Sequence, residues 1–157
     1  MDSVSVLFIL HALASCFMMG LVWFVQVVHY PLMARVPMNT LHAYEAAHQR
    51  RTTFVVAPAM LLEASTAVAL LLIEPAGPPR WMLLASVGLV AAVWLSTAAL
   101  QMPLHQKLST CGDEASRDML VDQLVRSNVI RVAVWTARAA LSLAMLLEAA
   151  RGEVAAS

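Results

Sequence analysis

Four long apolar stretches, joined by short polar connections, dominate the pattern of residues along this chain. They cover roughly residues 4–28, 54–73, 81–102 and 129–149. About 20 apolar residues in a helix cross the hydrocarbon core of a bilayer, so each stretch is long enough to span it once. Short connections place consecutive helices side by side and antiparallel. The pattern predicts an all-α membrane protein, an up-down bundle of four transmembrane helices.

Two of these stretches continue into polar helical segments, which we expect to extend beyond the membrane as cytoplasmic helices. Residues 39–53 and 114–126 carry apolar positions at helical spacing but are too polar to span. Tyr30-Pro31-Leu32 is expected to end the first helix, because a residue before proline avoids the α conformation. We expect a single domain, residues 1–157, whose helices cover roughly 4–30, 39–73, 81–105 and 114–150.

Composition supports the membrane class and argues against nucleic acid as a partner. Hydrophobic residues make up 61% of the chain, against roughly 45–50% in an average soluble domain. The formal net charge is zero and no basic cluster is present. The expected partner is therefore the lipid bilayer, and the sequence leaves open whether the chain forms a homo-oligomer.

The distribution of lysine and arginine predicts the orientation of the bundle. The connections after the first and third helices hold most of the basic residues outside the apolar stretches: Arg35, Arg50, Arg51, Lys107, Arg117 and Arg126. The opposite side has Arg80 and Arg151. Cytoplasmic loops carry an excess of positive charge. The pattern predicts a multi-pass protein of the bacterial inner membrane with both termini outside the cytoplasm.

The fourth helix has a polar stripe within its apolar stretch. Asn128, Arg131, Trp135 and Arg138 follow one another at steps of three and four residues, which places them on one helix face. Charged side chains within a membrane face the bundle interior and a partner. At 1.5 Å per residue, Glu63 of the second helix lies at a depth similar to that of Arg138. We expect these two residues to form a buried ion pair.

The other helices contribute further polar positions to this interior. The first helix offers Gln26 and His29, and the third offers Trp94, Gln101 and His105. A faint repeat with an offset of seventy-five residues relates Gln26 to Gln101 and Glu63 to Arg138. It indicates two hairpins of the same orientation that face each other across a shared polar centre.

Three histidines are candidate metal ligands. His29, His48 and His105 all lie near the predicted cytoplasmic end of the bundle, and Glu45-x-x-His48 has the spacing used in di-metal carboxylate bundles. Such a cluster suits iron, copper or zinc, or a haem held by axial histidines. His11 lies nearer the other end, where we expect a neutral side chain that is hydrogen-bonded inside the bundle.

Three local patterns resemble a known group of proteins. Pro-Leu follows the first helix, Pro103-Leu-His105 ends the third, and the fourth contains Asn128-x-x-Arg131-x-x-x-Trp135-x-x-Arg138. Together they resemble small four-helix bacterial integral membrane proteins and are distantly similar to the anthrone-oxygenase-like group. The resemblance implies oxygenation, or another oxidation, of an aromatic membrane-soluble substrate. It places no ligand at His48.

These observations leave three functional hypotheses. The first is a metal- or haem-dependent membrane oxidoreductase that acts on a hydrophobic small molecule. In it, Glu63, Arg131 and Arg138 are catalytic, His29, His48 and His105 hold the metal, and the substrate contacts are Gln26, Trp94, Gln101, Asn128 and Trp135. The second is a non-catalytic binding or transport module that is coupled to a proton or an anion. The third is a structural accessory subunit whose polar stripes only form interhelical hydrogen bonds.

Overall fold

The computed structural model describes residues 2–156, which form an all-α bundle of four helices. Helix α1 covers Ser3–Met33, α2 covers Met38–Ile73, α3 covers Arg80–Leu108 and α4 covers Glu114–Ala156. Each is long and apolar enough to cross a membrane. The predicted fold class is confirmed, including the continuation of residues 39–53 into the second helix and of residues 114–126 into the fourth.

Pro31 and Pro103 each lie within a helix directly after a π-helical turn, whereas Pro58 lies inside α2 without one. Val25–His29 and Thr97–Gln101 are π-helical, and Pro31 and Pro103 lie in the first turn of the next α-helical segment. Proline is tolerated there, since its missing N–H is not needed for an intrahelical bond. The first helix was expected to end at Tyr30-Pro31-Leu32, and α1 ends one residue later, at Met33, after passing through Pro31 in helical conformation.

The turn between α2 and α3 packs closely against α4. Gly77 in this turn has φ of +108°, and a Cβ added to it would lie 2.7 Å from the carbonyl oxygen of Glu148. Only glycine combines that backbone conformation with so close an approach. The turn thereby fixes the α2–α3 hairpin against the last turns of α4.

Buried apolar side chains form three layers along the bundle, and polar side chains lie between the layers. We call the end that contains His29, His48 and His105 the histidine end, and the other the termini end. The middle layer contains Met18, Val22, Met60, Val93, Val132 and Trp135. Another layer at the histidine end surrounds Leu41 and Leu124, and a third at the termini end surrounds Phe8 and Leu70.

Candidate functional site

The ion pair between Glu63 and Arg138 lies in the bundle interior, as the sequence predicted. Both side chains are buried, and the guanidinium contacts Oε1 of the carboxylate. Ser15 of α1 donates a hydrogen bond to the same oxygen at 3.0 Å. Nη1 of Arg138 donates to the backbone carbonyl of Ser86 in α3 at 2.6 Å. One charged pair therefore connects all four helices.

His11 extends these contacts into an ion-pair network. One ring nitrogen lies 3.0 Å from the hydroxyl of Thr66 and the other lies 3.1 Å from the hydroxyl of Ser86. The side chain is 1% exposed, so the expectation of a hydrogen-bonded interior histidine is confirmed. Because these polar groups bind one another, the network fixes the helices in register, and a catalytic role for Glu63 and Arg138 stays a prediction.

An apolar layer separates this network from the polar groups at the histidine end. Trp135 is fully buried in the layer, among Met18, Val22 and Met60. Its indole Nε1 has no hydrogen-bond partner, and its ring lies 5.6 Å from the guanidinium carbon of Arg138. The polar stripe of the fourth helix therefore supplies two polar regions and the layer between them, not one continuous site.

The three predicted histidines come together at the histidine end, in what we call the histidine cluster. The ring of His48 in α2 stacks on that of His29 in α1, with centroids 4.4 Å apart, and lies 5.3 Å from that of His105 in α3. Tyr44 stacks on both His29 and His48. Three helices thus bring four aromatic rings into one group.

A chain of hydrogen bonds connects the cluster to a buried tyrosine. Nδ1 of His105 lies 2.6 Å from Oε1 of Glu45, and its Nε2 lies 3.2 Å from the hydroxyl of Tyr30. Tyr30 also donates to Oε1 of Gln101 at 2.9 Å. A carboxylate, an imidazole and a hydroxyl in this order form the arrangement by which an imidazole is oriented to exchange a proton with a hydroxyl group. We call these four residues the Tyr30 relay.

Helix α4 brings a positive charge to the relay. The Arg131 guanidinium lies beside the Tyr30 hydroxyl and donates to Oδ1 of Asn128 at 3.2 Å. Asn128 in turn donates to Gln26 at 2.9 Å. Three predicted substrate contacts, Gln26, Gln101 and Asn128, are thus connected to one centre. Of the three predicted catalytic residues, Arg131 reaches this centre, whereas Glu63 and Arg138 lie in the ion-pair network.

Three polar atoms around this centre are buried without a hydrogen-bond partner: Nε2 of His29, Oε2 of Glu45 and Nε of Arg131. The Glu45 side chain is completely buried. A buried polar atom that lacks a partner costs about 1–3 kcal/mol, which water or a bound molecule would offset. The arrangement is therefore suited to receiving a ligand.

Two relay residues are absent from the predicted site, and two predicted substrate contacts lie elsewhere: Trp135 in the middle apolar layer and Trp94 on the outer surface. Trp94 is 42% exposed on the outer surface of the bundle and does not join the others. The sequence pattern marks Tyr30 only as the end of a helix, and Glu45 only as part of a possible metal spacing. The spacing of four residues from Gln26 to Tyr30 is the sequence signal that could have found Tyr30, since residues four apart share a helix face.

The histidines do not form a ready metal site. Within residues 2–156, no group of three or more His, Cys, Asp or Glu side chains has an arrangement that could hold a metal ion. The rings of His29 and His48 stack on each other, and His105 uses both ring nitrogens within the relay. Metal binding would require these side chains to turn.

The fold and the site define the class: a multi-pass, four-helix protein of a membrane with a polar centre near one end of the bundle. Comparison of the chain with protein-family models, with curated proteins and with solved structures gave no match. The geometry of the site is therefore the basis on which a function can be proposed.

Proposed function

We propose that this protein is a membrane enzyme that oxidises a lipid-soluble hydroxyaromatic compound at the Tyr30 relay. The observation that carries the proposal is the buried chain Glu45–His105–Tyr30, with Arg131 beside the phenol oxygen. In a network that only holds helices together, a buried carboxylate oxygen is expected to be hydrogen-bonded, whereas Oε2 of Glu45 has no partner. The site also lies within helices that can contact lipid.

The relay supplies the proton transfer that such an oxidation needs. The Tyr30 hydroxyl has one proton and two neighbouring acceptors, Gln101 Oε1 and His105 Nε2. With Glu45 accepting from Nδ1, the imidazole can take a proton at Nε2 and become a stabilised cation. A substrate hydroxyl bound at Tyr30 would pass its proton along this path, and Arg131 would hold the resulting anionic oxygen.

Dioxygen is the oxidant in the proposed reaction. A hydroquinone-type substrate loses two electrons and two protons and becomes a quinone, while dioxygen takes up both and becomes hydrogen peroxide. Deprotonation comes first, because a phenolate gives up electrons more readily than a phenol. General acid–base catalysis by a positioned side chain contributes about 10²–10⁴-fold to a rate. We expect the relay to accelerate the oxidation by a factor in this range.

Replacing Tyr30 by phenylalanine is expected to lower the oxidation rate by about 10²-fold or more, because only the hydroxyl that exchanges the proton is removed. The measurement is dioxygen uptake and product formation by protein in lipid nanodiscs, with a panel of lipid-soluble benzohydroquinones and naphthohydroquinones, with and without a carboxylate group. His105→Gln is expected to lower the rate similarly.

Tyr44→Phe is the matched control. Tyr44 stacks on the histidines but makes no hydrogen bond within the relay. Removing its hydroxyl should therefore change the oxidation rate less than about threefold, well below the effect of removing a group that transfers a proton. A panel in which no compound is oxidised, or a Tyr30→Phe variant as active as the unchanged protein, would contradict the proposal.

A metal ion at the histidine cluster is a second candidate, favoured by the unpartnered atoms His29 Nε2 and Glu45 Oε2. Iron, copper or zinc accepts such nitrogen and oxygen ligands. The side chains of the histidine cluster and Glu45 could hold a metal ion only after the stacked rings of His29 and His48 turn toward Glu45. Haem is a weaker fit, because stacked histidines lie on the same side of a ligand and not across a macrocycle.

Elemental analysis of the purified protein tests this candidate. If this candidate is right, the unchanged protein holds about one equivalent of iron, copper or zinc per chain, and His48→Ala holds less than about one tenth of that, because a metal ligand is removed. His42→Ala is the control, because His42 binds the carbonyl of Cys111 outside the cluster. Substoichiometric metal in the unchanged protein, or the same metal content in His48→Ala, would remove the candidate.

A further inference from the structure

A groove on the outside of the bundle lies next to the Tyr30 relay. It has a volume of about 370 Å³, within the roughly 300–1,000 Å³ of small-molecule sites. Helices α3 and α4 form its walls, and its lining residues are Ala99, Leu100, Pro103, Leu104, Lys107, Gln123, Arg126 and Ser127. None of the relay residues lines it.

The two ends of the groove differ in chemistry. Ala99, Leu100 and Leu104 provide an apolar wall, while Lys107 and Arg126 provide positive charge. Arg126 pairs with Asp122 at 2.8 Å. Within residues 2–156 Lys107 forms no ion pair, so its charge is available to a ligand. An apolar wall beside an uncompensated cation matches an amphiphile that carries one negative charge.

One side chain stands between the groove and the relay. Gln101 is 3% exposed. Its Nε2 donates to the hydroxyl of Ser127, a lining residue of the groove, at 2.9 Å, and its Oε1 accepts from Tyr30. The groove is therefore two hydrogen bonds away from the Tyr30 hydroxyl.

The backbone at this position is unusual as well. Ala99, Leu100 and Gln101 belong to the π-helical turn Thr97–Gln101 of α3. Such turns are rare and occur frequently at functional sites, because the wider ring reorients side chains that an α-helix would place elsewhere. Here the turn directs Gln101 inward while Ala99 and Leu100 form the groove wall.

We propose that this groove binds a small lipophilic aromatic carboxylate and is the route by which a hydroxyaromatic substrate of that kind reaches Tyr30. The ring lies against Ala99, Leu100 and Leu104, and the anionic group lies near Lys107. Rotation of the Gln101 side chain connects the bound molecule to the relay. Binding in the groove does not depend on the proposed function, but the oxidation of the bound molecule at the Tyr30 relay does. A volume of about 370 Å³ suits one small molecule better than a two-chain phospholipid.

Fluorescence titration with anthracene carboxylate tests the binding, using protein in phosphatidylcholine nanodiscs. We expect saturable binding that is at least about fivefold tighter than for the neutral analogue anthracene methanol, because only the carboxylate can pair with Lys107. Lys107→Gln should weaken carboxylate binding about fivefold, because the exposed charge that pairs with the carboxylate is removed. Ala99→Trp, which fills the groove from an exposed position, should weaken binding of both probes.

Arg35→Gln is the matched control, since Arg35 is exposed at the same end of the bundle but does not line the groove. It should leave both affinities unchanged. Equal affinity for the two probes, or unchanged binding in Ala99→Trp, would overturn the inference. Loss of probe binding when phosphatidylglycerol is added to the nanodisc would also overturn it, by assigning the groove to a phospholipid.

The proposed oxidation at the Tyr30 relay and the proposed binding in the groove can be tested independently. Tyr30→Phe is expected to retain anthracene carboxylate binding, because Tyr30 does not line the groove, while it loses oxidation. Binding without any oxidation would therefore remove the proposed function and leave the groove as a binding site. Oxidation that continues unchanged in Ala99→Trp would remove the groove as the substrate route and leave the function.

Discussion

Replacing Arg138 by methionine is expected to lower the free energy of unfolding by about 3–5 kcal/mol, the usual effect of removing one partner of a buried ion pair. The carboxylate of Glu63 would remain buried without its counter-charge, and Ser86 would lose the donor to its carbonyl oxygen. The measurement is reversible unfolding in mixed micelles of detergent and dodecyl sulfate, followed by circular dichroism of the helices.

Replacing both partners separates the ion pair from the packing around it. The double variant Glu63→Met, Arg138→Met removes both charges with similar side-chain volumes, and such exchanges are often neutral or stabilising. We expect it to recover most of the loss. A double variant as unstable as Arg138→Met alone would contradict this account.

An exposed ion pair provides the matched control. Arg151 and Glu148 are paired at 2.6 Å, but Arg151 is 73% exposed. Solvent screens such a pair, so Arg151→Met should change the free energy of unfolding by less than about 1 kcal/mol. An Arg138→Met effect no larger than this would show that the interior pair is not an important part of the fold.

Replacing Trp135 by alanine is the second change with a large expected effect, a loss of about 3–5 kcal/mol in the free energy of unfolding. The indole is fully buried in the middle apolar layer, where neighbours such as Met18 and Met60 cannot fill the space of a whole ring. The same unfolding measurement applies.

Two further variants make this prediction specific. Trp135→Phe should lose much less than Trp135→Ala, because the indole Nε1 has no hydrogen-bond partner and most of the ring volume is kept. Trp94→Ala should lose less than about 1 kcal/mol, since an outward-facing side chain leaves no cavity when it is shortened. Equal losses for Trp135 and Trp94 would contradict the assignment of Trp135 to the core.

Helical spacing alone allows an inward position for Tyr30, because Tyr30 lies four residues after Gln26. Tyr30 was missed because the pattern before Pro31 was interpreted as the end of the first helix. The π-helical turn Val25–His29 adds a residue to one turn and rotates the residues after it. Tyr30 is buried and faces Gln101 and His105, while His29 faces His48.

By itself, the sequence determined the number of membrane helices, the pairing of Glu63 with Arg138 and the gathering of three histidines at one end. Hydropathy, depth along a helix and the cost of burying a charge are enough for these conclusions, since each depends on local spacing. Only the tertiary structure decided that Trp135 divides the polar stripe into two regions and that Glu45, His105 and Tyr30 form a relay. These contacts depend on how far each helix is rotated and shifted against its neighbours, which the packing of all four helices sets together.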